Sequence, residues 1–315
     1  MFIWIGPKQR QSGLNEDLLK GFFKVCSWVT IAITFSILAS LSYETIKFFT
    51  YVAPQDFFFN TTWSPQTAFR EDSVGSSGEF GFVPLLWGTM FITFLAILIA
   101  GPIGLLSAIY TSEYLRPKHR QIVKPLLEVL AGIPTVVYGF FAAIVLGPWL
   151  RSMGVTLGLD VSTESALAAG IVMGVMIIPL ISSITDDVLT AVPSAMRDGA
   201  RGVGATREET ILSVVLPAAL PGVVAGFIMA ISRAVGETMI VVMAAGLAAN
   251  LTINPLEAVT TVTVQIVTLL IGDQEFESAK TLSAFALAFT LFTVTFILNW
   301  IAYRNYKNAV NRLRQ

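Results

Sequence analysis

The chain has 315 residues and a mass of 34.1 kDa, and 13% of its residues are charged, about half the share that a soluble globular domain carries. With 54% apolar residues, a mean hydropathy of +0.72 and a net charge of −1, this composition excludes a disordered chain and a nucleic-acid binder with a basic surface, and disfavours a soluble enzyme. A single cysteine, Cys26, and a single histidine, His119, exclude a disulfide framework and a metal site built from cysteine or histidine clusters. The sequence therefore predicts a polytopic membrane protein without a cofactor or a nucleic-acid partner.

Apolar runs long enough to cross a bilayer recur along the chain. A spanning helix needs about 20 mostly apolar residues, and such runs occur six times, the fifth being interrupted near its middle by Arg233 and Glu237. This pattern predicts an all-α fold with six transmembrane helices. The predicted spans are approximately residues 25–43, 82–111, 129–150, 166–185, 215–249 and 282–303.

The stretch 258–271 is also apolar, but it has only about 14 residues, too few for a crossing. Its richness in valine and threonine favours a re-entrant segment or a partial helix. The distribution of lysine and arginine supports this interpretation. With six spans, one side of the membrane holds 15 of these residues and the other holds 4. Because the basic excess marks the cytoplasmic side, both termini are predicted to be cytoplasmic.

These boundaries divide the chain into four parts. Residues 1–24 form a cytoplasmic N-terminal segment, and residues 25–80 contain the first transmembrane helix and a long external loop. Residues 81–303 form a core of five transmembrane helices that includes the cytoplasmic loop 192–217. Residues 304–315 form a cytoplasmic basic tail.

The loop between spans four and five, VPSAMRDGARGVGATREETILSVVLPAALPG at 192–222, is amphipathic without being a span. Pro193 and Ser194 can begin a short helix, which Gly202 and Gly204 interrupt. Such a helix suits docking of another protein, although the composition alone fits a solvated loop equally well. The sequence has no GxxxxGK[ST] phosphate loop, so the chain does not hydrolyse a nucleotide by that route.

The same loop resembles the EAA loop of ABC-importer permeases in the spacing of Asp198-Gly199-Ala200, Gly204, Val214 and Leu216-Pro217. In this chain Asp198 stands where that motif usually has Glu, Gly199 where it has Ala, and Val214 where it has Ile. The resemblance implies a type I importer permease (MetI-like) fold and a short helix that docks in a groove of a separate ATPase subunit. The residues that it assigns to this coupling are Asp198, Gly199, Ala200, Gly204, Ala205, Leu216 and Pro217.

Four further stretches resemble the permeases of phosphate-specific ABC importers, and the GETM sequence after Arg233 is similar to their C-type (PstC) subunit. The resemblance implies a permease subunit of an ATP-driven inorganic phosphate importer in the inner membrane of a prokaryote. It further implies three partners: a sibling A-type permease, an ATPase dimer and an extracytoplasmic phosphate-binding protein. The stretches are FGFVPLLWGTMFIT (80–93), AGIPTVVYGFFA (131–142), AVPSAMRDGARGVGATREETI (191–211) and AISRAVGETMIVVMAAG (230–246).

Arg233 and Glu237 are charged residues within the predicted fifth span. An arginine at the bilayer centre costs about 2.5–3.5 kcal/mol on insertion scales, so Arg233 must face the bundle interior, a water-filled path or a partner. The i, i+4 spacing predicts that Glu237 lies on the same helix face within reach of Arg233. One hypothesis is a buried ion pair that fixes packing. The other is an anion path, in which the guanidinium binds a tetrahedral oxyanion with Ser232 and Thr238 as hydrogen-bond donors.

Three alternatives to phosphate import stay open at this point. A permease for another oxyanion, such as molybdate or sulfate, would share the EAA-like loop but less of the RAVGETM stretch. An anion transporter or channel that works without ATP would have no use for the EAA-like loop, and a membrane scaffold or sensor would show no uptake.

Overall fold

The computed structural model describes residues 13–65, 78–271 and 278–313, and six of its helices are long and apolar enough to cross a membrane. This confirms the predicted number of transmembrane helices. The first residues of the N-terminal segment (1–12), part of the external loop (66–77) and the last two residues of the basic tail lie outside the described residues. The six candidate spans are Leu18–Tyr51, Val83–Tyr114, Thr135–Thr156, Ala166–Ala191, Arg207–Val235 and Ala279–Ile301.

The elements follow one another as helices, apart from one short strand pair in which Trp63 faces Phe80. Three π-helical segments of five residues each follow α-helices directly, at Tyr110–Tyr114, Ala142–Leu146 and Ile211–Val215. In chain order the elements are α1 (Gly13–Tyr51), α2 (Pro54–Phe59), β1 (Trp63–Ser64), β2 (Glu79–Phe80), α3 (Val83–Ile109), α4 (Pro117–Ala131), α5 (Thr135–Phe141), α6 (Gly147–Thr156), α7 (Ala166–Ala191), α8 (Ser194–Gly202), α9 (Arg207–Thr210), α10 (Leu216–Val235), α11 (Met239–Ala244), α12 (Val262–Leu270) and α13 (Ala279–Leu313).

The fifth span is shorter than predicted, because α10 ends at Val235 and the chain leaves the helix at Gly236. The apolar sequence continues to residue 249, but it forms the separate six-residue helix α11. Farther on, the ambiguous stretch 258–271 contains the nine-residue helix α12. At 1.5 Å per residue, α12 is about 14 Å long, less than half of the hydrocarbon thickness. The interpretation of this stretch as a partial helix is therefore correct.

Helices α3 and α7 pack closely at the centre of the molecule, because small residues line their contact. A Cβ atom on Gly170 would lie 2.7 Å from Leu95 Cβ, and one on Gly174 would lie 3.1 Å from the Ala96 carbonyl oxygen. Small residues let membrane helices approach to this distance. The main apolar core surrounds this contact and extends to α5, α10 and α11.

The segment after α11 is held against the start of α7 by backbone hydrogen bonds. The amide of Ser165 donates to the Ala244 carbonyl, and the amide of Ala166 donates to the Glu257 carbonyl, at 2.9 and 3.0 Å. Gly246 has a φ of +92°, which suits glycine and lets the chain turn back towards Val259. These bonds satisfy the backbone of a non-helical segment that is packed against protein, as a membrane protein requires.

Helix α1 lies at the edge of the molecule and packs along α13. The Thr45 hydroxyl donates to the Phe285 carbonyl at 3.2 Å. At the end of α1, the rings of Phe48, Phe57 and Phe80 meet edge to face with centroids 5.4 and 5.6 Å apart. This cluster joins α1 and α2 to the strand pair, so the described part of the predicted external loop is anchored by aromatic packing.

We expect Gly170→Val to weaken the contact between α3 and α7. The added carbons would meet Leu95, and overpacking of this kind typically costs about 1–3 kcal/mol. The thermal midpoint of the detergent-purified protein should fall. Gly21→Val is the matched control, because a Cβ there meets nothing within 4 Å. Equal midpoints for the two variants would contradict the assigned packing.

Candidate functional site

Arg233 lies near mid-depth of the helix bundle. Gly222 of α10 packs against Val188 of α7, and Gly226 packs against Ile184, so the two helices run antiparallel. Ile184 is 18 residues from the start of α7 at Ala166, which corresponds to about 27 Å. Arg233 lies seven residues beyond Gly226, and therefore about 16 Å from the Ala166 end of a helix about 39 Å long.

The Arg233 side chain is exposed on the surface of the chain, and within the described residues it has no ion pair or hydrogen bond. It follows Met229 by one turn, and Met229 is exposed on the same face of α10. A charge at this depth is costly in lipid. Another protein surface or water must therefore meet Arg233 in the membrane.

The predicted contact between Arg233 and Glu237 is wrong. The spacing assumed a continuous helix, but α10 ends at Val235, so the two residues are not one turn apart on a shared face. Glu237 is 8% exposed, and its Oε1 accepts hydrogen bonds from the amides of Met239 and Ile240 at 3.1 and 3.3 Å. The carboxylate thus caps α11 at its N-terminal end, where a negative charge is favourable.

The two hydroxyls beside the charged residues already have local partners. Ser232 Oγ donates to Asn299 Oδ1 of α13 at 2.7 Å, which links the two helices next to Arg233. Thr238 Oγ1 makes a longer bond of 3.4 Å to the Gly236 carbonyl. The Glu237 carbonyl accepts a bond of 2.9 Å from Thr263 Oγ1, which ties α12 to the end of α10.

The loop between the fourth and fifth spans contains the short helix that the sequence predicted. Helix α8 has no buried residue, and its Asp198 and Gly199 are exposed, while Ala200 is half-buried. A Cβ at Gly199 would meet nothing within 4 Å. The helix ends in a turn at Gly204, whose φ is +94°, and the Ala205 amide donates to the Ala200 carbonyl at 3.1 Å.

The chain then re-enters the bundle through α9. Thr206, immediately before this helix, forms a capping box with Glu209 within it. Leu216 and Pro217 are the first two residues of α10, which continues directly from the π-helical segment Ile211–Val215. The coupling residues predicted from the sequence thus lie in two groups. The residues from Asp198 to Ala205 lie in and after the exposed helix, whereas Leu216 and Pro217 lie within the fifth span, at the start of α10.

Sequence reasoning missed the ion pairs beneath this loop. Glu113, in the π-helical segment Tyr110–Tyr114 that continues the end of α3, pairs with Arg197 of α8 at 2.9 Å. Asp186 of α7 pairs with Arg120 of α4 at 2.7 Å. Glu113 and Asp186 are 8% and 3% exposed. In both cases, the signal in the sequence was an acidic residue at the end of a long apolar span. A buried carboxylate there requires a cationic partner.

A second carboxylate of α7, Asp187, binds Lys124 of α4. This hydrogen bond raises the pKa of Lys124 above its ordinary value. Lys124 therefore stays cationic and holds α4 against the end of α7.

The model of the family described as binding-protein-dependent transport system inner membrane component matches residues 100–308, which is more than half of the chain. The chain therefore belongs to this family of importer permeases. Its similarity to a bacterial ABC transporter involved in the import of the acidic polysaccharide alginate has a TM-score of 0.60 at 15% identity, over 94% of this chain and 98% of that one. The predicted six-helix fold of type I, MetI-like permeases is confirmed.

The relatives that are similar in sequence include two bacterial permeases. The probable ABC transporter permease protein YqgH of Bacillus subtilis is 32% identical over 206 residues, 64% of this chain and 62% of the relative. The phosphate transport system permease protein PstC of Mesorhizobium japonicum is 30% identical over 168 residues, 49% of this chain and 48% of the relative. The match covers less than two thirds of the length of either relative.

We expect that exchanging the charges, in the double variant Arg233→Glu with Glu237→Arg, does not restore the properties of the native protein. Arginine cannot accept the two amide bonds that cap α11, and loss of a cap costs about 1 kcal/mol. Glu237→Gln, whose amide oxygen can still accept, is the matched control and should keep most of the thermal stability. A double variant with native stability and native yield would instead favour a simple ion pair.

Proposed function

We propose that the chain is the C-type permease subunit of an ATP-driven importer of inorganic phosphate, and that Arg233 contributes the anion-binding charge of the translocation path. The single observation that carries this proposal is an exposed arginine in the last turn of α10, near mid-depth of the helix bundle, without a partner in the described part of the chain. The family membership and the similarity to permeases named PstC support phosphate as the transported anion.

A guanidinium group suits a tetrahedral oxyanion because its planar fork donates two parallel hydrogen bonds. Arg233 is free to do this, since no carboxylate of the described residues neutralises it. Glu237 acts indirectly. By capping α11, it stabilises the break between α10 and α11 that follows Arg233. Ser232 and Thr238 border the path and can add hydroxyl contacts when they exchange their present partners.

The exposed helix α8 is the proposed contact with the ATPase subunit. It presents Asp198 and Gly199 to the outside of the chain, so a groove of another protein can receive it without rearrangement. Each chain has one such loop, whereas a dimer of ATPases needs two. A second permease is therefore required, and we infer that it is an A-type sibling that also covers Arg233.

The remaining partners follow from the orientation of the chain. We propose that both termini and α8 are cytoplasmic in the inner membrane of a prokaryote, in agreement with the basic excess on that side. The opposite face, which includes the segment 245–261, would receive the extracytoplasmic phosphate-binding protein. The exposed apolar residues of α1 would contact membrane lipid.

We expect Arg233→Gln to abolish phosphate uptake, because glutamine keeps hydrogen-bonding groups and much of the volume but lacks the charge. Arg233→Lys should retain part of the activity, since ammonium keeps the charge without the bidentate geometry. The measurement is ATP-dependent uptake of radiolabelled phosphate by proteoliposomes that contain the assembled complex, with complex yield recorded in parallel.

Competition in the same assay separates phosphate from other oxyanions. Arsenate, which has the same geometry and charge, should compete, whereas sulfate and molybdate should not. Normal uptake by Arg233→Gln would refute the assigned role of Arg233. Uptake that proceeds without ATP would refute an ABC importer.

We expect Gly199→Trp to block ATPase docking while the chain itself still folds, because a side chain at this position enters open space in the isolated chain. Gly204 is unsuitable for this test, since its positive φ makes any substitution strained. Co-purification of the ATPase measures docking. Val155→Trp, in α6 and outside the coupling loop, is a control for added bulk at a site where the native side chain is already 69% exposed. Native docking by Gly199→Trp would exclude α8 as the contact.

A further inference from the structure

The Glu113–Arg197 pair joins the proposed docking helix to the membrane helices. Arg197 Nη2 lies 2.9 Å from Glu113 Oε1, and the same nitrogen donates to the Leu189 carbonyl at 2.7 Å. Arg197 Nη1 donates to the Val192 carbonyl. One side chain of α8 therefore holds the end of α3 and the end of α7 together.

Both members of the pair are shielded from water. The side chain of Glu113 is 6% exposed and that of Arg197 is 16% exposed. An ion pair in such surroundings is not weakened by solvent as a surface pair is, and removal of one member strands the other. The pair thus favours a single arrangement of α8 relative to α3.

Apart from contacts with α9 and with the π-helical segment Ile211–Val215, little else holds α8 against the bundle. None of its residues is buried, and Cβ atoms at Gly199 and Gly202 would meet nothing within 4 Å. Within the described residues, Arg197 makes the side-chain hydrogen bonds of this helix to other elements. A force applied to α8 can reach α3 through this arginine.

The end of α3 is in turn bonded to the other cytoplasmic elements. Thr111 Oγ1 donates to Asp186 Oδ1 at 3.1 Å, and Asp186 also binds Arg120 of α4. The Arg207 guanidinium lies 4.7 Å from the centroid of the Tyr114 ring, which adds a contact with α9. Movement of α3 is therefore shared with α4, α7 and the start of the fifth span.

We propose that Glu113 and Arg197 are positioning residues that couple ATP hydrolysis to transport, by making α8 and the cytoplasmic end of α3 move as one body. This inference rests on the proposed function of α8 as the ATPase contact. Without the pair, the ATPase would still dock and turn over, but its movement would no longer reach the membrane helices.

The test compares Glu113→Gln and Arg197→Gln with Arg116→Gln, in the assembled complex in proteoliposomes. Arg116 is the matched control because it is exposed and lies three residues beyond Glu113. We expect the two pair variants to lower phosphate uptake per ATP hydrolysed about tenfold, the size expected for a lost charge-assisted hydrogen bond. ATP hydrolysis itself should stay within about twofold of the native rate, and Arg116→Gln should keep the native ratio.

A distance measurement gives a readout that does not depend on the substrate. Spin labels at Leu106 and Arg201, both exposed, report the separation of α3 and α8 in a Cys26→Ser background. With the pair intact, we expect the same distance before and after trapping with ATP and vanadate. With Glu113→Gln, the distance should change or broaden on trapping. If this variant does not assemble, Arg197→Lys, which retains the charge but not the fork, replaces it in both measurements.

The two measurements separate failure of the link from failure of the proposed function. A native complex that hydrolyses ATP without taking up phosphate would refute phosphate import, and the distances would still decide the link. An unchanged uptake ratio in the pair variants would overturn the link. Label distances that respond to trapping in the same way with and without the pair would overturn it as well.

Discussion

The exposed guanidinium group of Arg233, at membrane depth on α10, is the constraint on which the rest of the structure depends. Arg233 lies about 16 Å from one end of α7, where the cost of a charge facing hydrocarbon is highest, and its side chain is exposed. A subunit with this feature is incomplete by itself. The proposed assembly with a second permease would solve the problem, because two such surfaces can enclose water and an anion between them.

The packing around Arg233 keeps this charge in one place. Close contact of α3 with α7, made possible by Gly170 and Gly174, forms the apolar core against which Ala230 and Ala234 of α10 pack, on either side of Arg233 in the sequence. The break at Gly236 then removes the next turn of helix, and Glu237 turns its carboxylate to the amides of α11. As a result, the acid nearest in sequence does not neutralise the arginine, which remains available to an anion.

The number of spans could be predicted from the sequence, because lipid imposes a minimum apolar length on every crossing helix. The end of the fifth span could not, since the apolar residues of α11 continue the hydropathy signal beyond Gly236. The predicted contact of Arg233 with Glu237 was wrong for the same reason. The pairing of Glu113 with Arg197 joins residues 84 positions apart, and no local pattern indicates which distant cation meets a buried acid.

The most direct test of the central claim is the reactivity of a cysteine at Met229, which shares the exposed face of α10 with Arg233. We expect Met229→Cys, in a Cys26→Ser background, to react with a charged, water-soluble thiosulfonate in the assembled complex, and phosphate to slow the reaction. Leu220→Cys, on the other exposed face of α10, should show no effect of phosphate. A cysteine at Met229 that reacts with a membrane-permeant maleimide but not with the charged reagent would contradict an aqueous anion path at Arg233.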